Sequence, residues 1–183
     1  MKQVQDGAKS DKVKIHVMIT LAVMVFIFLH SAMNGDISGG ESSYFARIFA
    51  SITGLSFQTA HIIVRKVAHF TEFTVLGVCL AVNFNDYKSQ NELIKVEKAP
   101  AKKVLLRHPL LAAWIAGTLY AGTDEFHQLF VEGRSCELRD ACIDSAGVAF
   151  GIVIFAIVRF MRSYGYKALP SDRLKDLPPD DEM

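Results

Sequence analysis

Three short groups of polar residues interrupt otherwise apolar stretches of this chain, and their side chains could bind ions or transfer protons. They are Arg65-Lys66-x-x-His69-x-x-Glu72, Asp124-Glu125-x-x-Gln128 and Asp140-x-x-x-Asp144. A charged side chain near the centre of a bilayer costs about 2.5–3.5 kcal/mol on insertion scales, so carboxylates inside membrane helices usually have a partner or a function. Carboxylates, histidine and arginine are also the groups that serve acid–base catalysis and anion binding.

Helical spacing places each of these groups on one face of a helix. Because an α-helix turns about 100° per residue, Arg65, His69 and Glu72 fall within about 60° of one another. Asp124 and Gln128 lie one turn apart with Glu125 beside them, and Asp140 and Asp144 also lie one turn apart. Small residues continue these two stripes, and such spacing allows membrane helices to approach closely. They are Gly117 and Ala121 before the second group, and Gly147 and Gly151 after the third.

The composition indicates a membrane protein with one domain. The chain has 183 residues, 51% of them hydrophobic, and a mean hydropathy of +0.25. The net charge is only +1, and the lysines and arginines lie in blocks between apolar runs, as membrane topology requires. No zinc-finger spacing, basic aromatic patch or Gly-rich phosphate loop occurs, so the sequence predicts neither nucleic-acid binding nor a bound cofactor.

Four stretches are long enough to cross a bilayer, which needs about 20 mostly apolar residues. They run from about Lys14 to Met33, from between Phe57 and Arg65 to about Phe84, from about Leu110 to Phe130, and from about Asp140 to Phe160. Apolar residues at 45, 48, 49 and 52 form one helical stripe, which is typical of a helix lying in the membrane interface. The sequence therefore predicts an all-α bundle of four transmembrane helices plus a short interfacial helix between the first two.

The same pattern divides the chain and orients it. Residues 1–13 form an N-terminal tail, residues 14–166 the membrane domain, and residues 167–183 a tail whose Pro, Asp and Lys content predicts disorder. Fifteen of the 20 lysines and arginines lie in the N-terminal segment, the connection 85–109 and the segment from residue 159 onward. Both termini and this connection are therefore predicted to be cytoplasmic, which places all three polar groups at the outer face.

The remaining histidines and the cysteines are predicted to stay outside the site. His127 projects from a different side of its helix than its acidic neighbours, and the other histidines are isolated, which favours an interfacial position for them. Cys136 and Cys142 could lie close enough to pair, although nothing in their spacing requires it. The isolated histidines are His16, His30, His61 and His108.

At the polar groups the sequence resembles the VanZ-like family of bacterial membrane proteins. The strongest element is Arg65-Lys66-x-Ala68-His69-Phe70-x-Glu72-Phe73-x-x-Leu76-Gly77. The second is Asp124-Glu125-x-x-Gln128-x-Phe130, followed by Gly133-Arg134 and by Asp140-x-x-x-Asp144-x-x-Gly147-x-x-x-Gly151. A weaker element begins at Ser31-Ala32. The resemblance covers about residues 31–151.

The resemblance implies a protein of the bacterial cell membrane and envelope, linked to low-level resistance to the glycopeptide antibiotic teicoplanin. It implies no particular reaction. The first hypothesis is a protein that acts on, or binds, a lipid-linked or cell-wall component in an outer-leaflet pocket, with membrane lipids around it. Acid–base roles are expected for Glu72, Glu125, Asp140 and His69, and binding roles for Arg65, Lys66, Asp124, Gln128, Arg134 and Asp144.

Three alternative hypotheses use the same residues. One alternative is a small transporter or flippase that is proton-coupled through Glu72 and Glu125. The second is metal binding by His69, Glu72, Glu125, Asp140 and Asp144, where oxygen ligands would favour a hard cation or manganese over zinc. The nearby basic residues speak against it, because they would neutralise the same acids. The last is a structural role in which ion pairs hold the helices together.

Overall fold

The computed structural model describes residues 2–32, 35–93, 107–131 and 137–167, and the side chains of residues 11–32, 43–89, 107–131 and 137–164. The regular structure within these ranges is helical and comprises five helices. They are α1 (Lys2–Ala32), α2 (Gly35–Thr53), α3 (Phe57–Leu93), α4 (Pro109–Gln128) and α5 (Leu138–Lys167). The predicted pocket residue Arg134, the possible disulfide partner Cys136 and the C-terminal tail from residue 168 lie outside the described residues.

Three of the helices are long and apolar enough to cross a membrane. The qualifying segments are Asp11–Ala32 of α1, Phe57–Ser89 of α3 and Leu138–Tyr164 of α5. The four predicted spans thus have three counterparts, because α4 carries Asp124 and Glu125 in its last turns and is too polar to qualify. The second span begins at Phe57, its earliest predicted position, and at 33 residues it extends to Ser89, beyond the expected end at Phe84. The polytopic, all-helical prediction is confirmed at this level.

Helix α2 takes the place of the predicted interfacial helix and is 19 residues long. It ends at Gly54, whose φ of +72° is left-handed and whose N–H donates to the Ala50 carbonyl at 2.9 Å. Glycine adopts this conformation without the steric cost that other residues meet. Helix α3 then begins at Phe57, directly after Ser56. The Ser56 hydroxyl caps the helix by accepting a hydrogen bond from the Thr59 N–H at 3.3 Å. This tight junction packs α2 against α3.

Close contact between α3 and α5 forms the centre of the bundle. A methyl group at Gly147 would lie 2.6 Å from the Phe70 carbonyl oxygen, and one at Gly151 would overlap the Thr74 carbonyl. On α3, Gly77 faces the Val148 backbone in the same way. The small-residue stripe that was predicted for α5 therefore does lie at a helix interface, where it lets two backbones meet.

A layer of buried apolar side chains fills the middle of the bundle. Ile27 of α1, Phe73 and Leu76 of α3, and Val148 of α5 are all completely buried. On the side of this layer nearer the chain termini, α1 and α3 are joined by polar contacts. There His16 Nδ1 lies 2.7 Å from Asp86 Oδ2. On the other side of the layer lie the polar groups that the sequence singled out.

Candidate functional site

The three predicted polar groups meet at one end of the bundle, between α3, α4 and α5. The antiparallel course of the helices brings the first half of α3, the last turns of α4 and the first turns of α5 to the same level. Eight residues line the pocket that they form. They are Arg65, Lys66, His69, Glu125, Gln128, Asp140, Ile143 and Asp144.

The inner face of α4 supplies an acid pair and an amide. Its buried residues Ala113, Gly117 and Ala121 form a stripe that ends in the buried polar residues Asp124, Glu125 and Gln128. Gln128 Nε2 donates to Asp124 Oδ2 at 3.1 Å and to Glu125 Oε1 at 3.4 Å. The small residues let α4 approach its neighbours, and the amide separates two carboxylates that would otherwise repel each other.

Helix α1 contributes two contacts to residues that were predicted for the site. Ser31 Oγ, itself fully buried, donates to Asp124 Oδ2 at 3.0 Å. His30 Nδ1 lies 2.7 Å from Glu72 Oε1, which makes an ion pair when the imidazole is protonated. The His30 ring also stacks against the His69 ring with centroids 6.0 Å apart. His30, which the sequence presented as isolated, therefore contacts two predicted site residues.

Lys66 and Asp140 pair with each other across the α3–α5 interface. Lys66 Nζ donates to Asp140 Oδ1, and both side chains are about four-fifths buried. This ion pair assigns the lysine to one particular carboxylate. Arg65, one residue earlier, lines the pocket and forms no ion pair within the part of the chain that the structure describes.

Glu125 is held by backbone as well as by Gln128. Its Oε2 accepts the Glu137 N–H at 3.1 Å, just before α5 begins. The carboxylate therefore ties the end of α4 to the start of α5. At 4% exposure it is one of the most buried charged side chains in the described part of the chain.

His69 and Asp144 line the pocket, and Asp124 lies close to both of them. One nitrogen or oxygen atom from each lies within 4.8 Å of the corresponding atom of the other two. Their exposed fractions are 7%, 2% and 2%. The cavity beside them has a volume of about 20 Å³, which is space for one or two water molecules. Such a space suits a water, a proton-transfer site or an ion, and excludes a sugar or a peptide.

Of the ten residues predicted for the site, nine lie at this end of the bundle, and Arg134 is outside the described residues. Glu72 lies beside His30 and does not line the cavity. His127, which was predicted to face away from its acidic neighbours, packs against Phe28 with centroids 4.2 Å apart and the rings tilted by 38°. The residues that sequence reasoning missed are His30 and Ser31, and only the weak motif that begins at Ser31 pointed to α1.

These features define a multi-pass membrane protein with a buried, charged pocket at one end of its helical bundle. The sequence model of the VanZ/LLP1 family matches residues 16–159, which include all five helices in whole or in part and every residue of the pocket. The chain belongs to this family, as its motifs predicted. No curated protein and no solved structure was found to match it.

Proposed function

We propose that this VanZ-like protein resides in the bacterial cell membrane and binds a lipid-linked or cell-wall component at the outer mouth of the pocket. The observation that carries the proposal is Arg65, a cation that lines the pocket without an ion pair among the described residues. A guanidinium matches phosphate and carboxylate groups with two parallel hydrogen bonds. The association of the family with teicoplanin resistance supports an envelope component as the source of that anion.

The volume of the cavity limits how such a ligand binds. About 20 Å³ cannot hold a headgroup, so the bulk of the ligand lies outside the mouth while one anionic group reaches Arg65. Lys66 is already paired with Asp140, and an incoming anion would have to compete for it. The buried acids and His69 then lie behind the bound group, where they are placed for acid–base work on a water molecule.

The proposal includes α4 as a fourth transmembrane helix. At 20 residues it is about 30 Å long, the thickness of a hydrocarbon core. Its exposed side chains include Leu111, Ile115 and Leu119, whereas Asp124 and Glu125 are buried against other helices. The two acids that disqualify α4 by composition therefore need not meet lipid.

The orientation follows from the distribution of positive charge. Only five lysines and arginines lie in or beside the first and third connections of the sequence, against fifteen in the N-terminal segment, the connection 85–109 and the segment from residue 159 onward. With both termini in the cytoplasm, the pocket opens to the outer face. An envelope component at the outer leaflet is thus within reach, and this supports binding there.

The transporter alternative finds less support in the packing. Four completely buried apolar side chains separate the pocket from the polar contacts of His16 and Asp86. Tyr120 packs against this layer, and its hydroxyl donates to the Met24 carbonyl at 2.6 Å. A proton or a charged substrate would need a rearrangement of the bundle to cross, whereas binding at one face needs none.

Teicoplanin susceptibility of a sensitive bacterium that expresses the chain tests the proposal. We expect the wild type to raise the minimum inhibitory concentration and Arg65→Gln to return it to the level of the empty vector. Loss of one charge-assisted hydrogen bond costs about 1.5–3 kcal/mol, or roughly 10–150-fold in affinity. Arg159→Gln is the matched control, because Arg159 is exposed at the opposite end of the bundle.

Protein amounts in the membrane fraction must be equal for the comparison. Unchanged tolerance with and without the wild-type chain would refute the envelope role, and full activity of Arg65→Gln would refute the anion site. Glu125→Gln separates chemistry from assembly, since the amide keeps the shape of the side chain. If this variant fails to accumulate while Arg65→Gln does accumulate, the acids serve the fold.

A further inference from the structure

The bottom of the pocket has a donor set that the anion site does not use. His69 comes from α3, Asp124 from α4 and Asp144 from α5, so three separate helices bring one imidazole and two carboxylates to one point. All three side chains are at least 93% buried. Burying charged groups is costly unless an opposite charge or a metal ion compensates them.

Two of the nearby basic residues have partners other than Asp144. Lys66 pairs with Asp140, and His30 lies against Glu72. Arg65 lines the same pocket and forms no ion pair among the described residues. Within these residues, no hydrogen bond and no ion pair reaches the Asp144 carboxylate, although it lines the cavity and is 2% exposed.

We propose that His69, Asp124 and Asp144 bind a divalent transition-metal ion in this cavity. Two carboxylates and a neutral imidazole balance a charge of 2+, so binding removes the electrostatic cost of the buried acids. The inference does not rest on the anion site at Arg65. It replaces the ligand set suggested by the sequence, because the structure directs Glu72 and Asp140 to other partners.

The distances are close to those of a metal centre. Nitrogen and oxygen ligands lie about 2.0–2.2 Å from such ions, so two ligands on opposite sides of one ion are about 4.2 Å apart. The donor atoms here lie within 4.8 Å of one another. Small rotations of the side chains close this difference, and the cavity has room for the ion and one water ligand.

Hydrogen bonds from neighbouring side chains orient the Asp124 carboxylate, as is common for carboxylates that bind metal ions. Ser31 Oγ and Gln128 Nε2 both donate to Oδ2 of Asp124. Hydrogen bonds to ligating carboxylates orient them and commonly change metal affinity by about 10–100-fold when removed. They come from α1 and α4, so four helices contribute to the site.

The donor chemistry favours manganese over magnesium and calcium. A site with one imidazole is softer than the all-oxygen sites that magnesium and calcium select, while two carboxylates suit manganese. Zinc accepts the same donors with four ligands, of which water would supply one. Mn²⁺ and Zn²⁺ are therefore the two ions to test.

Metal binding by the purified full chain in detergent tests the proposal. After equilibration with MnCl₂ or ZnCl₂ and removal of free ion, we expect about one ion per chain by elemental analysis. Titration calorimetry should show Asp144→Asn and His69→Gln weakening binding by at least about 100-fold, and Ser31→Ala by about tenfold. Asp86→Asn is the matched control, because it removes a carboxylate that contacts His16 at the opposite end of the bundle, away from the proposed ligands.

Each outcome decides the question. Wild-type protein without stoichiometric Mn²⁺ or Zn²⁺ would overturn the proposal, even if the variants do not fold. Equal losses in Asp86→Asn and Asp144→Asn would also overturn it, because they would indicate a general effect of negative charge or stability and not the loss of a ligand. Retained binding in Arg65→Gln would show the metal site to be separate from the anion site, so either proposal can fail alone.

Discussion

The packing of α3 against α5 predicts a large penalty for one added methyl group at Gly147. In Gly147→Ala the new Cβ would lie 2.6 Å from the Phe70 carbonyl oxygen and 3.2 Å from the Phe73 Cβ. Carbon contacts relax at about 3.5 Å or more, so the backbones must separate by several tenths of an ångström. Overpacking of this kind costs about 1–3 kcal/mol, which corresponds to a loss of roughly 2–12 °C in melting temperature for a chain of this size.

The assay is thermal unfolding of the detergent-solubilised protein, followed by the fraction that remains monodisperse after heating. Gly122→Ala is the matched control, since a Cβ at Gly122 would meet no atom within 4 Å. Alanine is favoured over glycine inside a helix by about 0.5–1 kcal/mol, so the control should melt at the wild-type temperature or slightly above. Equal melting temperatures for the two variants would refute the close approach of α3 and α5.

Two further predictions concern the junction of α1 with α4 and the orientation of the bundle. Tyr120→Phe removes the hydrogen bond from the Tyr120 hydroxyl to the Met24 carbonyl, 2.6 Å away, and should lower stability by about 1 kcal/mol, measured by the same melting assay; an unchanged temperature would contradict that bond. Ser56 and Ser89 are exposed and lie at opposite ends of α3. In a chain without its native cysteines, Ser56→Cys and Ser89→Cys should therefore differ in their labelling by a membrane-impermeant maleimide added to intact cells. Labelling only at position 56 is expected, and labelling only at position 89 would invert the topology.

Helical phase was enough to predict which residues of α4 and α5 converge. Asp124 and Gln128, like Asp140 and Asp144, each continue a stripe of small residues, and small residues mark the faces at which membrane helices meet. Because the polar residues share those faces, they had to lie between helices. The positions of these residues in the pocket therefore followed from the sequence, with the helix contacts as the only further information.

The pairing inside the pocket did not follow from the sequence. Arg65 and Lys66 are adjacent, and spacing alone could not say which of them meets Asp140. That choice depends on the rotation of α3 against α5, which the glycine contacts determine. His30 was missed for another reason: a single polar residue in an apolar span has no periodicity, so nothing indicated that α1 would turn it toward Glu72.

Helix α4 shows a limit of composition as a guide to which helices could cross a membrane. Hydropathy averages over a whole window and takes no account of the side to which a carboxylate points. Asp124 and Glu125 lower the average of α4, yet they contact Ser31, Gln128 and the Glu137 backbone. A helix that buries its charges against protein can thus be apolar where lipid would touch it and polar only within.

The layer formed by Ile27, Phe73, Leu76 and Val148 also bears on how far a charge could travel through the bundle. All four side chains are completely buried and apolar, so none of them offers a partner to an ion. Moving a charge without a partner into such surroundings costs several kcal/mol or more. A charge in the pocket would therefore meet a barrier at this layer before it could reach His16 and Asp86.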